Sequence, residues 1–447
     1  MTTPLAVEPT ALLGPEVAAA RAARSPAWLA ARRRIAWDAY EALPMPSSHS
    51  DEDWRRTDIS GLHPERFAPV ESVDRAVLDA MRAQRDTAAP DAALLFDSPL
   101  ETIIEGADTL LAQGIIVTTL EEAASVHPEL VQRALAAVRV DESKFAALWN
   151  AMWRGGAFVY VPRGVEALAP VWIAHAASGA DVAVFPTTAV LLEEGAALTV
   201  IDAYASPVGT DPVFSDSVVV LSAGRDARLD YCTVQQWGAG VWHVAVQRTL
   251  LDANAKLRFT GITLGSRLQK AWWEVILEGT GSEADILGIC FGDGTQHIDH
   301  QSLQAHVGAE TRSNLLLKVA VRDTARSVYG GMIDVAPTAV HADGYVANRN
   351  LLLSHGAKAD SIPRLEIRAN DVKCGHGATA GHIDDDQRFY LMARGVPPEE
   401  ASSLIVRGFM DDVLDRIPHR GFAELAGALL DAEIAGASVA GVAAAEA

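Results

Sequence analysis

VLLEEGAALTVID (190–202) and VVVLSAGRDARLDYCTV (218–234) share one plan: a short apolar run, a corner built from Gly, Ala, Asp or Asn, and a second apolar run. The plan returns in TLLDANAKLRFTGITL (249–264), VILEGTGSEADILGICF (275–291), LLKVAVRDTARSVYGGMI (316–333) and LLLSHGAKADSIPRLEI (351–367). Runs this short, bounded by turn-forming residues, read as strands rather than helices. Self-similarity at a period of roughly 20–50 residues marks stacked repeats. One strand pair cannot bury its apolar face alone, whereas stacked coils share a continuous core. The spacing therefore predicts a mainly β chain over 157–380, either a β-helix or an elongated β-sandwich.

The flanks change period. Residues 11–45 read as helical, with Ser25 as a cap and Pro26 at the first helical position. Trp28, Ala31, Ile35, Ala39 and Leu43 fall on one face, and the basic run Arg32, Arg33, Arg34 reads as a solvated face. Residues 47–75 read as a loop anchored by Trp54. ALLFDS (93–98) and GIIVTTL (114–120) read as strands, and 120–138 and 142–156 as helices, the second closing on Gly155-Gly156. After residue 380 the helical period returns. Asp384, Asp385 and Asp386 suit the start of a helix over QRFYLMAR (387–394), with Gly395 as its stop. A second helix runs from Pro397-Pro398 to Ile417, with Ala401, Ile405, Phe409, Val413 and Ile417 on one stripe and Leu404 and Met410 widening it. A third covers about 420–434, and the low-complexity tail GASVAGVAAAEA is expected to be disordered. Three regions result: 1–156 mostly helical, 157–380 the β core, and 381–447 a helical docking region with a disordered tail. Both helical regions are expected to cap the exposed edges of the β core, the alternative being an uncapped edge used to pair with a partner.

Composition narrows the function. The chain has 447 residues, 49% of them hydrophobic, and a formal net charge of −21. That size supports a substantial core, and the charge disfavours nucleic acid and anionic membranes as partners. No apolar run approaches the ~20 residues of a membrane span. The opening MTTPLAVEPT lacks the basic and apolar regions of a signal peptide. Cys232, Cys290 and Cys374 are few, odd in number and lack a CxxC pair, so a reducing cytoplasm is the expected setting. Neither a phosphate-binding GxxxxGK[ST] loop nor a GxSxG elbow occurs, so the chain is read as neither an ATPase nor a hydrolase.

Two groups of residues could carry chemistry. Cys374 and His376 are two apart, so an extended segment puts both side chains on one face. Thiolate and imidazole suit iron and zinc, but two ligands leave a metal site incomplete. From the residues alone, a buried thiol beside a hydrogen-bonded histidine is the favoured reading. The second group is QHIDHQSLQAH (296–306), with His297, Asp299, His300 and His306. Its residue types suit iron or manganese, but its spacing matches no HExxH-like signature. In a strand 297 and 299 share a face and 300 points away, so a polar segment crossing between coils is the favoured reading.

Four further stretches decide between these readings. NRNLLLS (348–354), LEIRANDVKCGHGAT (365–379), QRFYLMARGV (387–396) and ASSLIVRGF (401–409) together resemble the C-terminal signature of the SufB/SufD family, the scaffold proteins of the Suf iron–sulfur cluster assembly system. WRRTDISGL (54–62) extends the likeness towards the N-terminus. Within the family the chain is more similar to SufD. SufB-type chains carry a cysteine where Asn348 stands here, and Glu on both sides of the matching histidine, where this chain has Gly375 and Gly377.

The resemblance implies a right-handed parallel β-helix flanked by helices, and a scaffold rather than an enzyme. It implies pairing with a SufB-like chain, with His376 and, less directly, Cys374 at that interface, meeting iron or a transient cluster shared with the partner. It also implies that the C-terminal helices dock SufC, an ABC-type ATPase. Phe389, Tyr390, Ile405, Phe409 and Val413 are the candidate contacts there. No cofactor is expected to be held permanently. The alternatives are a SufB-type or homodimeric scaffold and a metal-dependent β-solenoid enzyme.

Overall fold

A computed structural model describes residues 12–70, 73–97 and 103–436. The tail expected to be disordered lies, from 437 on, outside the described residues. The chain begins with α1 (Pro15–Ala23) and α2 (Ala27–Ala42), then β1 (Ala68–Pro69), α3 (Arg75–Ala88), β2 (Ala93–Asp97), β3 (Ile103–Glu105), α4 (Asp108–Ala112), β4 (Ile116–Thr119), α5 (Leu120–Val126), α6 (Pro128–Leu135) and α7 (Lys144–Met152). Polar caps start several of these helices: Asp74 accepts from the N–H of Ala76, Thr119 from Glu122 and Ser143 from Ala146.

Strands then follow without interruption: β5 (Ala157–Val161), β6 (Val171–Ala176), β7 (Val182–Val184), β8 (Thr187–Leu192), β9 (Ala197–Ala205), β10 (Val213–Ala223), β11 (Arg228–Gln236), β12 (Val241–Leu251) and β13 (Lys256–Thr263). The series continues with β14 (Leu268–Leu277), β15 (Glu283–Gly292), β16 (His297–His306), β17 (Arg312–Val321), β18 (Arg326–Val335), β19 (Asp343–Leu352), β20 (Lys358–Ile367) and β21 (Lys373–His382). The chain closes with α8 (Asp385–Met392), α9 (Pro398–Leu414) and α10 (Arg420–Ile434).

From β8 on, even-numbered strands stack in parallel as one sheet and odd-numbered strands as a second, so each coil lays one strand on each sheet. The core is a parallel β-solenoid of about eight turns, flanked by N-terminal and C-terminal helices. One ladder shows the step: Trp242 pairs with Leu268, Leu268 with His297, His297 with Arg326 and Arg326 with Lys358.

The corners explain the recurring Gly, Asp and Asn. Each turn from the even sheet to the odd sheet places one residue at positive φ: Gly195, Asp226, Asn254, Gly281, Glu310, His341 and Asp371. Gly needs no Cβ there, and Asp and Asn tolerate that region best among the rest. These residues also tie coil to coil, because the N–H of Gly195 donates to Arg225, that of Asp226 to Ala253 and that of Asn254 to Thr280.

Three apolar layers result. Side chains such as Val200, Tyr231, Phe259, Ile286 and Leu315 pack much of the lumen. The outer face of the even sheet packs under α1, α2 and α5–α7, with Trp149, Phe158, Phe214 and Val218 in the layer. The outer face of the odd sheet packs under α3, α9 and α10 through Ile201, Ile262, Ile289, Val406, Met410, Val413 and Phe422.

Several local readings change. The helix expected over 11–45 is two helices. Ser25 does not cap the second: its hydroxyl donates to the Arg21 carbonyl and accepts from Arg33 Nε. The buried face of α2 is Leu29, Ala30, Arg33 and Ala36, while Ile35 is exposed. Arg33 is not on a solvated face. Its guanidinium donates to the carbonyls of Ala151 and Trp153 and lies 4.4 Å from the centroid of the Trp153 ring. The unpaired carbonyls at the end of α7 attract a cation, which periodicity could not reveal. The segment 120–138 breaks at His127-Pro128 into α5 and α6. The C-terminal helices do not cap the last coil either. They lie on the outer face of the odd sheet, and among the described residues β20 and β21 each pair on one side only.

Candidate functional site: the open end of the solenoid

All twenty residues of β20 and β21 are half-buried or exposed, unlike the strands behind them. Their outer edges present free N–H and C=O groups, which is a template for further strand pairing. Apolar side chains gather nearby: Tyr345, Leu365, Ile367, Phe389, Tyr390 and Met392 are all exposed.

Register places Cys374 and His376 on the lumenal side. Cys374 continues the column Leu198, Leu229, Leu257, Ala284, Ser313, Gly344. His376 ends the column Val200, Tyr231, Phe259, Ile286, Leu315, Val346. Every residue of that second column except His376 lies in the lumenal core, and Cys374 packs against it. The expected common face is therefore the interior one, laid bare because no coil follows. His376 is exposed and makes no hydrogen bond among the described residues. The Cys374 thiol is half-buried, and burial raises its pKa against the opposing backbone bond to Gly344. It is a protonated thiol at neutral pH rather than a ready thiolate. Asn348, one strand inward, is buried and lumenal beside Ala378; its amide donates to the Leu317 carbonyl.

The glycines beside His376 have a structural reason. They face outward, where the Tyr345 ring lies across both: a Cβ on Gly375 would stand 3.5 Å from that ring, and one on Gly377 2.9 Å from its hydroxyl.

The C-terminal candidates divide. Phe389 (70% exposed) and Tyr390 (56%) stand out from α8, which buries none of its residues. Ile405 and Phe409 are half-buried. Val413 is fully buried on the odd sheet, so it belongs to the core beneath the helix. Lys318, read only as part of an apolar run, anchors α9. Its ammonium donates to the Phe409 carbonyl at 2.7 Å and pairs with Asp412 at 2.8 Å.

The segment 297–306 is not a crossing between coils. It is β16, a central strand of the even sheet and largely buried. Its alternation is as expected, with His297 and Asp299 outward and His300 and His306 in the lumen. His300 Nε2 meets Thr263 and Gln269, and His306 is held by Thr311 and Ser313. Among the described residues no group of three or more His, Cys, Asp or Glu is placed to hold a metal ion.

Outside the even sheet, His297 and Asp299 receive WRRTD. The Thr57 hydroxyl donates to Asp299, which leaves its oxygen to accept from His297 Nε2 at 2.9 Å. Asp299 also accepts from Lys270 and Gln301, each at 2.6 Å. Lys270 is fully buried, donates to the Asp53 carbonyl and lies near the Trp54 and Trp272 rings. Burial opposes its charge, and Asp299 supports it. This knot binds the N-terminal segment to β14 and β16. In the sequence Trp54 stands out as an anchor and Thr57 only as part of WRRTDISGL, while Lys270 has no assigned role. The available signal was a lysine inside the strand LQKAWWEVIL.

A family model described as "SUF system FeS cluster assembly, SufBD core domain" matches residues 175–409, and one described as "SufBD protein N-terminal region" matches 16–173. Iron–sulfur cluster assembly SufBD family proteins of Staphylococcus haemolyticus, Staphylococcus saprophyticus and Staphylococcus aureus are each 28% identical over 307 residues. The alignment covers 68% of this chain and 66% of each relative, just under two thirds of their length. No helix among the described residues is long and apolar enough to cross a membrane. The chain belongs to the SufBD family of iron–sulfur cluster assembly proteins.

Proposed function

We propose, with membership of the SufBD family as the premise, that this chain is a SufD-like scaffold subunit working in the cytoplasm. It would pair with a SufB-like chain through the open end and dock an ABC-type ATPase through its C-terminal helices. The observation that carries the reading is the open last coil, with Cys374 and His376 on the lumenal face of its edge strand. Two donors cannot complete the four-ligand shell that iron or zinc ordinarily takes, so a nascent cluster there would need ligands from the partner. His376 is the better candidate on this chain, since it is accessible and unpartnered. Cys374 would first have to lose its proton, which a nearby iron ion favours. The buried Asn348 offers no thiolate, which supports a SufD-like assignment over a SufB-type one.

Phe389 and Tyr390 support docking at α8, where they remain exposed beside helices that pack onto the sheet. ATP-driven pairing of two docked ATPases would strain the scaffold and open the shared interface to iron and sulfur. In this role the chain supports de novo cluster assembly and iron acquisition and performs no catalysis of its own. The test is retention of partners from the native extract by tagged chain, followed by mass spectrometry. A SufB-like chain and an ABC-type ATPase are expected together, and His376→Ala is expected to leave that assembly intact while lowering its cluster yield. A chain recovered alone, folded and metal-loaded, would overturn the proposal.

A further inference from the structure

The lumen changes character along its length. In the middle coils a cavity of about 50 Å³ is lined by polar groups, including Tyr204, Ser217, His243 and Gln269. A site needs roughly 10–15 Å³ to hold one water, plus polar partners, and this cavity offers both. One hydrogen-bond chain leads out of it, and its polarity can be assigned. Gln235 Oε1 accepts from the backbone N–H groups of Trp237 and Gly265, so Gln235 Nε2 is the donor to Gln269 Oε1. Gln269 Nε2 must then donate to His300 Nε2, at 3.0 Å. A neutral imidazole that accepts at Nε2 carries its proton at Nδ1. His300 Nδ1–H is therefore a donor inside the lumen, and it has no partner among the described residues.

Beyond His300 the same condition recurs up to the open end. Both amide atoms of Gln304 on β16, Ser327 Oγ on β18, Asn350 Oδ1 on β19 and Ser361 Oγ on β20 are buried and unpartnered among the described residues. His300, Gln304, Ser327 and Asn350 are all less than 5% exposed. Register turns all five side chains inward: Ser361 follows His300 and Tyr329 in one column, Ser327 lies beside Ile298, and Asn350 lies beside Val319. Buried polar groups are nearly always satisfied by protein or by bound water. A run of them on three successive strands of the even sheet, with one more on the odd sheet, has one economical explanation.

We infer that the lumen binds a file of water molecules, running from the cavity beside Gln269, past His300 and Gln304, to the open end that carries Cys374 and His376. Water is the ligand class because the groups offer both donors and acceptors and carry no net charge. Combined with the proposed pairing, on which this last step rests, the file solvates Cys374 and His376 from within. Closing the end with a partner would then not strip them of water.

The chain alone tests the file. A crystal structure at about 1.5 Å is expected to show ordered water within hydrogen-bond distance of His300 Nδ1 and of the Gln304 amide. Gln304→Met, of similar length but apolar, is expected to lower Tm by a few degrees, because it removes anchored water contacts. A dry lumen with a raised Tm, as expected when an unpaired amide is simply deleted, would overturn the inference. Both readouts stand whether or not a SufB-like chain is ever captured, so failure of the pairing proposal shows separately.

Discussion

Tyr345 lies across Gly377, its phenolic oxygen 2.9 Å from the place a Cβ would take. The atom in the way is the far end of a half-exposed side chain, so the ring can swing aside. Gly377→Ala is expected to cost less than about 1 kcal/mol and to move Tyr345 off the edge strand, which a crystal structure of the variant would show. Gly279→Ala is the contrasting case, because its Cβ would stand 1.8 Å from the Ala253 backbone nitrogen at a corner. That substitution is expected to cost about 3 kcal/mol or more. Equal losses of Tm would show that the edge strand is as constrained as the corners.

The three cysteines should differ in reactivity. Burial raises the thiols of Cys232 and Cys290 far above the usual range, and that of Cys374 less so. Alkylation of the folded chain at pH 7.5, read by peptide mass spectrometry, is expected to label Cys374 alone, and more slowly than a free thiol. Rapid labelling of Cys374 would mean an activated thiolate and contradict the geometry.

Acid should weaken the fold before the carboxylates titrate. Burial lowers the pKa of His243 and His300 to about 3 and of His306 to about 4. Each folded pKa is depressed below the ~6.5 of an unfolded chain, so the unfolded state takes up protons first. The stability these groups provide is complete above pH 6.5 and is lost as pH falls towards 4 and then 3. Each should cost about 1 kcal/mol between pH 6.5 and 5.5. Denaturant melts across that range are the check, with a shallower slope expected for His306→Gln. A flat profile would show that these histidines charge in place.

The C-terminal helices separate packing from docking. Val413→Ala removes methyl groups from a fully buried site and is expected to cost about 2 kcal/mol. Phe389→Ser with Tyr390→Ser touches no buried group and is expected to leave Tm unchanged while abolishing retention of the proposed ABC-type ATPase. Retention by the double variant would move the docking surface elsewhere.

The repeat was legible because corners announce themselves: Gly195, Asp226 and Asn254 each mark the place where the backbone must reach positive φ. The unit starts at 190, 218, 249, 275, 316 and 351 are unevenly spaced because β16, HIDHQSLQAH, carries too few apolar residues to register as a strand. Skipping it shifted the later units onto the opposite corner, so that LLKVAVRDTARSVYGGMI joins β17 to β18 in the reverse sense. The shared face of Cys374 and His376 followed from period two, but its lumenal direction needed the columns of the stacked coils. Arg33 reads as solvated, and Thr57 and Lys270 carry no assigned role in the sequence, because their partners lie far away along the chain. Arg33 bonds backbone carbonyls of Ala151 and Trp153, and Thr57 meets Asp299 across 242 positions.

The proposal that the open end is the docking face is tested most directly by amide hydrogen exchange, measured on the chain alone and in complex with the proposed SufB-like partner. The edges of β20 and β21 should exchange fast in the free chain and become strongly protected over 358–382 in the complex. A complex that forms while that segment exchanges as before would contradict the account.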